Sequence, residues 1–137
     1  NNQDMEFGYR TSVIKKRPFI VVQVEMELQP GNQEEIAAKM TELNRRRRDK
    51  QPLQYPSVGS TFKRPQGYFA GKLIMDAGLR GYSIGGACVS EKHCGFIINK
   101  NHASAADVAE GICEGQERVK EKFGVTLETE VILLGDF

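Results

Sequence analysis

The sequence holds no tryptophan and only three cysteines and five prolines, and aromatic residues make up 8% of it. Three cysteines cannot all pair, so a disulfide framework is not expected, and reduced thiols in the cytoplasm are. No apolar run approaches bilayer-spanning length, no export signal is visible, and no membrane role is expected. Charge is balanced as well. With 19 Lys and Arg against 18 Asp and Glu the net charge is +1, which argues against bulk electrostatic binding to nucleic acid. Gly81, Gly85 and Gly86 do not form a GxGxxG fingerprint, so no dinucleotide fold is signalled. What remains is a chain of 137 residues, enough for one domain with a real core but short for an enzyme holding two large ligands. It opens on Asn1-Asn2-Gln3-Asp4 without methionine, as a processed or excised piece would.

From Phe19 to Leu28 apolar residues alternate with polar ones, and Ile20, Val22, Val24, Met26 and Leu28 share one face of an expected strand. Pro30-Gly31 ends it, and Asn32-Gln33-Glu34-Glu35 reads as a capped helix start. That helix carries Ile36, Met40 and Leu43 on one face, runs into Arg45 to Arg48, and must stop before Pro52. Cations in a last turn complement the helix dipole, so the arginines read as a solvated helix end. A short helix is expected from Ala70 to Asp76, and two short strands over Ala87 to Val89 and Gly95 to Ile98. Ser104 to Asp107 opens the last helix, whose inner face is Val108, Ile112, Val119 and Phe123. Gly111 and Gly115 each cost that helix about 1 kcal/mol unless another element packs closely on them. Gly124 stops it, and Val125 to Leu134 reads as a final strand. The expected fold is α+β: a mixed β-sheet with two longer helices and one short helix packed mainly on one side.

The chemistry concentrates in one loop, Pro56-Ser57-Val58-Gly59-Ser60-Thr61-Phe62-Lys63-Arg64-Pro65. Proline at both ends favours extended or turn geometry, and Gly59 permits a tight turn before Ser60. A hydroxyl beside two cations suits an anionic ligand or proton transfer to a developing carbanion, and the same residues suit a solvated surface turn. On the final strand, Glu130 shares a parity with Ile132 and Leu134. A carboxylate there is either solvated at a sheet edge or partly buried with a raised pKa. Cys88, His93 and Cys94 lack a CxxC pair and a fourth ligand, so no metal is expected.

The serine loop, the segment Phe7-Gly8-Tyr9-Arg10-Thr11-Ser12, and the runs Ala77 to Gly81, Ile84 to Ala87, Val89 to His93, Gly95 to Asn99 and Leu127 to Val131 stand in a familiar order. Together they resemble the UDP-N-acetylenolpyruvoylglucosamine reductase family, flavoenzymes of peptidoglycan precursor synthesis. The resemblance implies FAD and NADPH as cofactors and UDP-N-acetylglucosamine enolpyruvate as substrate. By the same resemblance Arg10, Ser60 and Glu130 match the catalytic positions. Tyr9, Lys50, Lys63 and Arg64 match substrate-binding ones, although the family often has asparagine where Arg64 stands. Lys50 reads equally as a solvated helix-end lysine. Residues 1–31 resemble the tail of a flavin-binding domain that is otherwise missing from this sequence, and residues 32–137 resemble the C-terminal substrate-binding domain. The chain alone is then expected to be inactive. Two rival readings are a stand-alone nucleotide-sugar-binding module and a basic nucleic-acid binder using Arg45 to Arg48 with Lys63 and Arg64.

Overall fold

Residues 1–135 are described by the structure, a computed structural model. The chain divides into two compact units, Asn1–Ile36 and Ala37–Phe137. The first begins with a 3-10 turn, Gln3–Met5, followed by a tight turn closed by paired bonds between Gly8 and Thr11 (3.0 and 3.3 Å). Helix α1, Val13–Lys16, follows and buries Val13. The expected strand from Phe19 to Leu28 does not form a ladder among the described residues. Its alternating face stands open, with Val22 93% and Ile20 89% exposed. Alternation marks which residues share a face, but a strand also needs a neighbouring backbone to take its N–H and C=O groups.

Helix α2, Gln33–Lys50, starts where its cap requires, since the Asn32 side chain accepts hydrogen bonds from the amides of Glu34 (2.9 Å) and Glu35 (3.0 Å). It continues through the arginine run, held by pairs one turn apart between Arg46 and Glu42 and between Arg45 and Asp49. No α2 residue is buried, and Ile36, Met40 and Leu43 are each about half exposed. Packing on the sheet is therefore left to one of the two longer helices, not both. Three large apolar side chains in a helix this polar make too narrow a stripe to bury it.

The sheet consists of β1 (Ser83–Ile84), β2 (Ala87–Val89) and β3 (Ile97–Asn99) in the order β1-β2-β3. Both pairings are antiparallel, so the α+β class stands while the mixed sheet does not. The connections explain this: Gly85-Gly86 and the Ser90–Phe96 loop are too short for the crossover that parallel strands need. Ala87, Val89 and Ile97 face one core with helix α3 (Ala70–Asp76) and helix α4 (Ala105–Phe123). Cys88, Ile98 and Phe96 form a smaller cluster apart from it. Full burial of side chains such as Ile74, Leu79, Val119 and Leu127 contributes about 1.5–3 kcal/mol each.

Helix α4 matches its expected caps. Ser104 Oγ accepts from the Asp107 amide (3.1 Å), while Asp107 Oδ2 accepts from the Ser104 amide (3.0 Å). Gly124 closes the far end at φ +68°. Ile112 and Val119 are buried as expected, and Phe123 sits at the rim, 37% exposed. Asp107 also accepts from the Gly86 amide (3.0 Å), so one carboxylate ties the β1–β2 turn to the helix start. That bond first, and then those to Ser104, hold its carboxyl below the usual range. A depressed pKa stabilises the fold above the unfolded-state value, and that contribution disappears as pH falls through the folded value. Thermal unfolding followed against pH should show this loss in acid, and Asp107→Asn should flatten it while lowering the midpoint at neutral pH. An unaltered acid profile in the variant would remove Asp107 from this role.

After Gly124 the expected final strand is reduced to a bridge at Thr129. The inward residues are Leu127, which is 1% exposed, with Val125 and Val131 packed beside it. Ile132 and Leu134 are 84% and 89% exposed, so the face that Glu130 shares with them is not an apolar interior. Glu130 itself is half-buried, opposite Thr61 of the serine segment.

Candidate active site

The segment carrying Ser60 lies between β3 and the chain's last described stretch. At one end Ser57 bridges Ile98, and the Asn99 amide donates to the Pro56 carbonyl (2.8 Å). At the other the Thr61 amide donates to the Gly95 carbonyl (2.8 Å), and Thr61 Oγ1 accepts from the Ile97 amide (3.2 Å). Between these anchors the backbone turns at Gly59, whose φ of +86° favours a residue without a Cβ. Ser60 follows it and is exposed, whereas Thr61 is completely buried.

The opposite edge of the segment pairs with residues 128–130. The Lys63 amide donates to the Glu128 carbonyl (2.8 Å) and the Glu130 amide to the Thr61 carbonyl (2.9 Å), with Phe62 and Thr129 directly opposed. Ser60 and Glu130, seventy residues apart in sequence, thus sit on neighbouring backbones. Lys63 Nζ lies 2.9 Å from Glu128 Oε2 across the same pairing. That hydrogen bond, and then the lysine's charge, hold the Glu128 carboxyl below its usual range. So Lys63 serves the pairing itself.

The remaining expected site residues are placed as follows. Arg64 folds back on its own loop, donating from Nε to the Tyr68 carbonyl (3.3 Å) with its guanidinium 4.1 Å from the Phe69 ring centroid. Lys50 is the exposed last residue of α2. Tyr9 and Arg10 belong to the first unit, at the tip of the Gly8–Thr11 turn, where Arg10 adopts φ +56°. A left-handed non-glycine residue is strained, and Glu6 and His102 share this conformation with Arg10. Among the described residues no His, Cys, Asp and Glu group is arranged to hold a metal ion. Cys88 is buried beside Ile98, and His93 Nδ1 accepts from the Gly95 amide (3.1 Å). Burial pushes the Cys94 thiol up, against the charge of Arg80.

A cavity of about 380 Å³ is lined by Tyr55, Cys88, Ser90, Lys92, Ile98 and Lys100, among others. Two of its polar groups are engaged already: Lys92 Nζ donates to the Arg48 carbonyl (2.6 Å), and Ser90 Oγ accepts from the amides of Lys92 and His93.

The order of these elements is that of known proteins. A family model described as "UDP-N-acetylenolpyruvoylglucosamine reductase, C-terminal domain" matches residues 51–134. The chain belongs to this reductase family. It is 61% identical over 136 residues to the UDP-N-acetylenolpyruvoylglucosamine reductase of Lachnoclostridium phytofermentans, covering 99% of this chain and 44% of that one. The reductase of Geobacillus thermodenitrificans is 58% identical over 135 residues, with 98% of this chain and 44% of the relative covered. The crystal structure of the Thermus caldophilus reductase superposes with a TM-score of 0.75 at 37% identity, covering 93% of this chain and 45% of that one. This chain therefore spans less than half the length of the reductases it matches.

Sequence reasoning singles out Ser60 and Glu130 but not the backbone pairing between their segments. Thr61 carries no sequence signal of its own, yet its buried hydroxyl accepts from a backbone amide that the sheet leaves open. Gly115 was half visible: its cost to α4 implied close packing, and Phe62 is what packs there.

Proposed function

We propose that this chain is the C-terminal, substrate-binding part of an oxidoreductase that converts UDP-N-acetylglucosamine enolpyruvate to UDP-N-acetylmuramate, a step of bacterial cell-wall synthesis in the cytoplasm. Residues 1–31 end the flavin-binding domain and residues 32–137 form the substrate domain. The observation that supports this reading is the bond from the Glu130 amide to the Thr61 carbonyl, which pairs Glu130 with the residue after Ser60 in a chain of this family. The open apolar face from Ile20 to Leu28 supports the first boundary, since exposed alternating apolar residues suit pairing with a further strand.

The described residues do not by themselves fit FAD. A flavin diphosphate needs a cluster of open amides, and at the starts of the two long helices Asn32 takes the amides of Glu34 and Glu35 while Ser104 takes that of Asp107. The cofactor belongs with the part of the longer reductases that this chain does not span. Bound there, FAD would supply hydride-transfer chemistry, with NADPH as its reductant. This chain's own residues serve the substrate. Ser60 gives the proton to the substrate carbon, and Arg10 with Glu130 stabilises negative charge that builds towards the carboxylate. Tyr9, Lys50 and Arg64 contribute to binding the nucleotide sugar, and Lys63 does so while clasped to Glu128.

Purified alone, the chain should be colourless and inactive. Joined to the flavin-binding part, it should carry FAD and sustain multiple turnovers of NADPH only when the enolpyruvyl nucleotide sugar is present. Near-stoichiometric yellow chromophore on the isolated chain after gel filtration would refute the division of labour. A joined protein that binds FAD but does not reduce the substrate would refute the function.

A further inference from the structure

Ser60 is exposed, and the firmest anchors beside it are the two residues that follow it. Thr61 is fixed by backbone bonds on both edges, and Phe62 is 6% exposed with its ring turned onto α4. The ring meets the helix at Gly115, where an added Cβ would stand 3.3 Å from Phe62 Cζ and 3.5 Å from Cε2. Gly115 is buried in the middle of α4, a position where glycine weakens a helix, and its φ does not demand glycine. The absence of a side chain there gives the ring its seat.

We propose that Gly115 is a positioning residue: by admitting the Phe62 ring against α4, it sets the depth of the serine segment and so the placement of Ser60 on the substrate. The proposal rests on the reading of Ser60 as proton donor. Because Phe62 opposes Thr129, a ring pushed outward shifts the whole pairing that also bears Glu130. A displacement of a few tenths of an ångström leaves the core intact but degrades proton-transfer geometry, which is steeply sensitive to distance.

The test uses the complete reductase carrying this chain, with flavin absorbance followed by stopped flow. Gly115→Ala should leave the rate of flavin reduction by NADPH and the unfolding midpoint unchanged, or raise the midpoint. Reoxidation by the enolpyruvyl substrate should slow by roughly fivefold to tenfold. Phe62→Leu, which shortens the ring side chain, should restore most of that rate when combined with Gly115→Ala, although it lowers stability. A general loss of packing would not be repaired by a second core truncation, so this rescue separates positioning from simple structural damage. Wild-type reoxidation in Gly115→Ala overturns the proposal, as does a double variant slower than either single one. A wild-type enzyme that fails to reoxidise at all overturns the underlying functional reading instead, and this proposal with it.

Discussion

Ser60→Ala in the complete reductase is expected to divide the catalytic cycle in two. Flavin reduction by NADPH does not need the serine's proton and should proceed near the wild-type rate. Reoxidation by the enolpyruvyl substrate should fall by about 10²- to 10⁴-fold, the contribution typical of a positioned proton donor. Substrate affinity should change far less, because one exposed hydroxyl adds little to ground-state binding. The alanine itself should not disturb the loop. Thr61 and Phe62 hold the segment through their own backbone bonds and packing, and none of the loop's backbone anchors uses the Ser60 side chain. Stopped-flow absorbance resolves both steps in one experiment. Reoxidation at the wild-type rate would mean that Ser60 is not the acid.

The second large effect is on stability. Gly86→Ala should destabilise the second unit by about 3 kcal/mol, the upper range for forcing a methyl group into a packed site. A Cβ at Gly86 would run into the Asn101 carbonyl and the Ala103 amide, which are backbone and cannot swing aside as a side-chain tip does. The same glycine accepts from the amides of Lys100 and Asn101 (both 3.0 Å) and donates to Asp107. Moving it breaks the tie between the β1–β2 turn and the start of α4. Urea unfolding of the chain measures this directly. A midpoint unchanged by the substitution would mean that the turn yields more easily than its contacts imply.

Capping chemistry was the most legible feature of the sequence, because a cap is a local contract among residues three apart. Asn32 and Ser104 both cap the helices expected of them. Sheet pairing was less legible. The run from Phe19 to Leu28 has the right period, yet period cannot say whether a neighbour exists to complete the ladder. Glu130 shows the other limit. Its stretch has apolar residues on both parities, so period 2 defined two faces without telling which one turns inward. The structure chooses Val125, Leu127 and Val131, whose burial closes the core under α4. Ser60 could be picked out by its neighbours in sequence. Its partnership with Glu130 could not, because the bonds that create it join backbone atoms, which every residue carries alike.

The serine segment pairs with residues 128–130 in one defined register. Phe62 and Thr129 are opposed without exchanging hydrogen bonds, the arrangement that brings Cα atoms closest in an antiparallel pair, about 4.5 Å apart. Nuclear Overhauser spectroscopy of the chain should therefore show a strong Hα–Hα cross-peak between Phe62 and Thr129, with slow amide exchange at Lys63 and Glu130. No such cross-peak, or one joining Phe62 to a different residue of the C-terminal stretch, would contradict the placement of Ser60 beside Glu130.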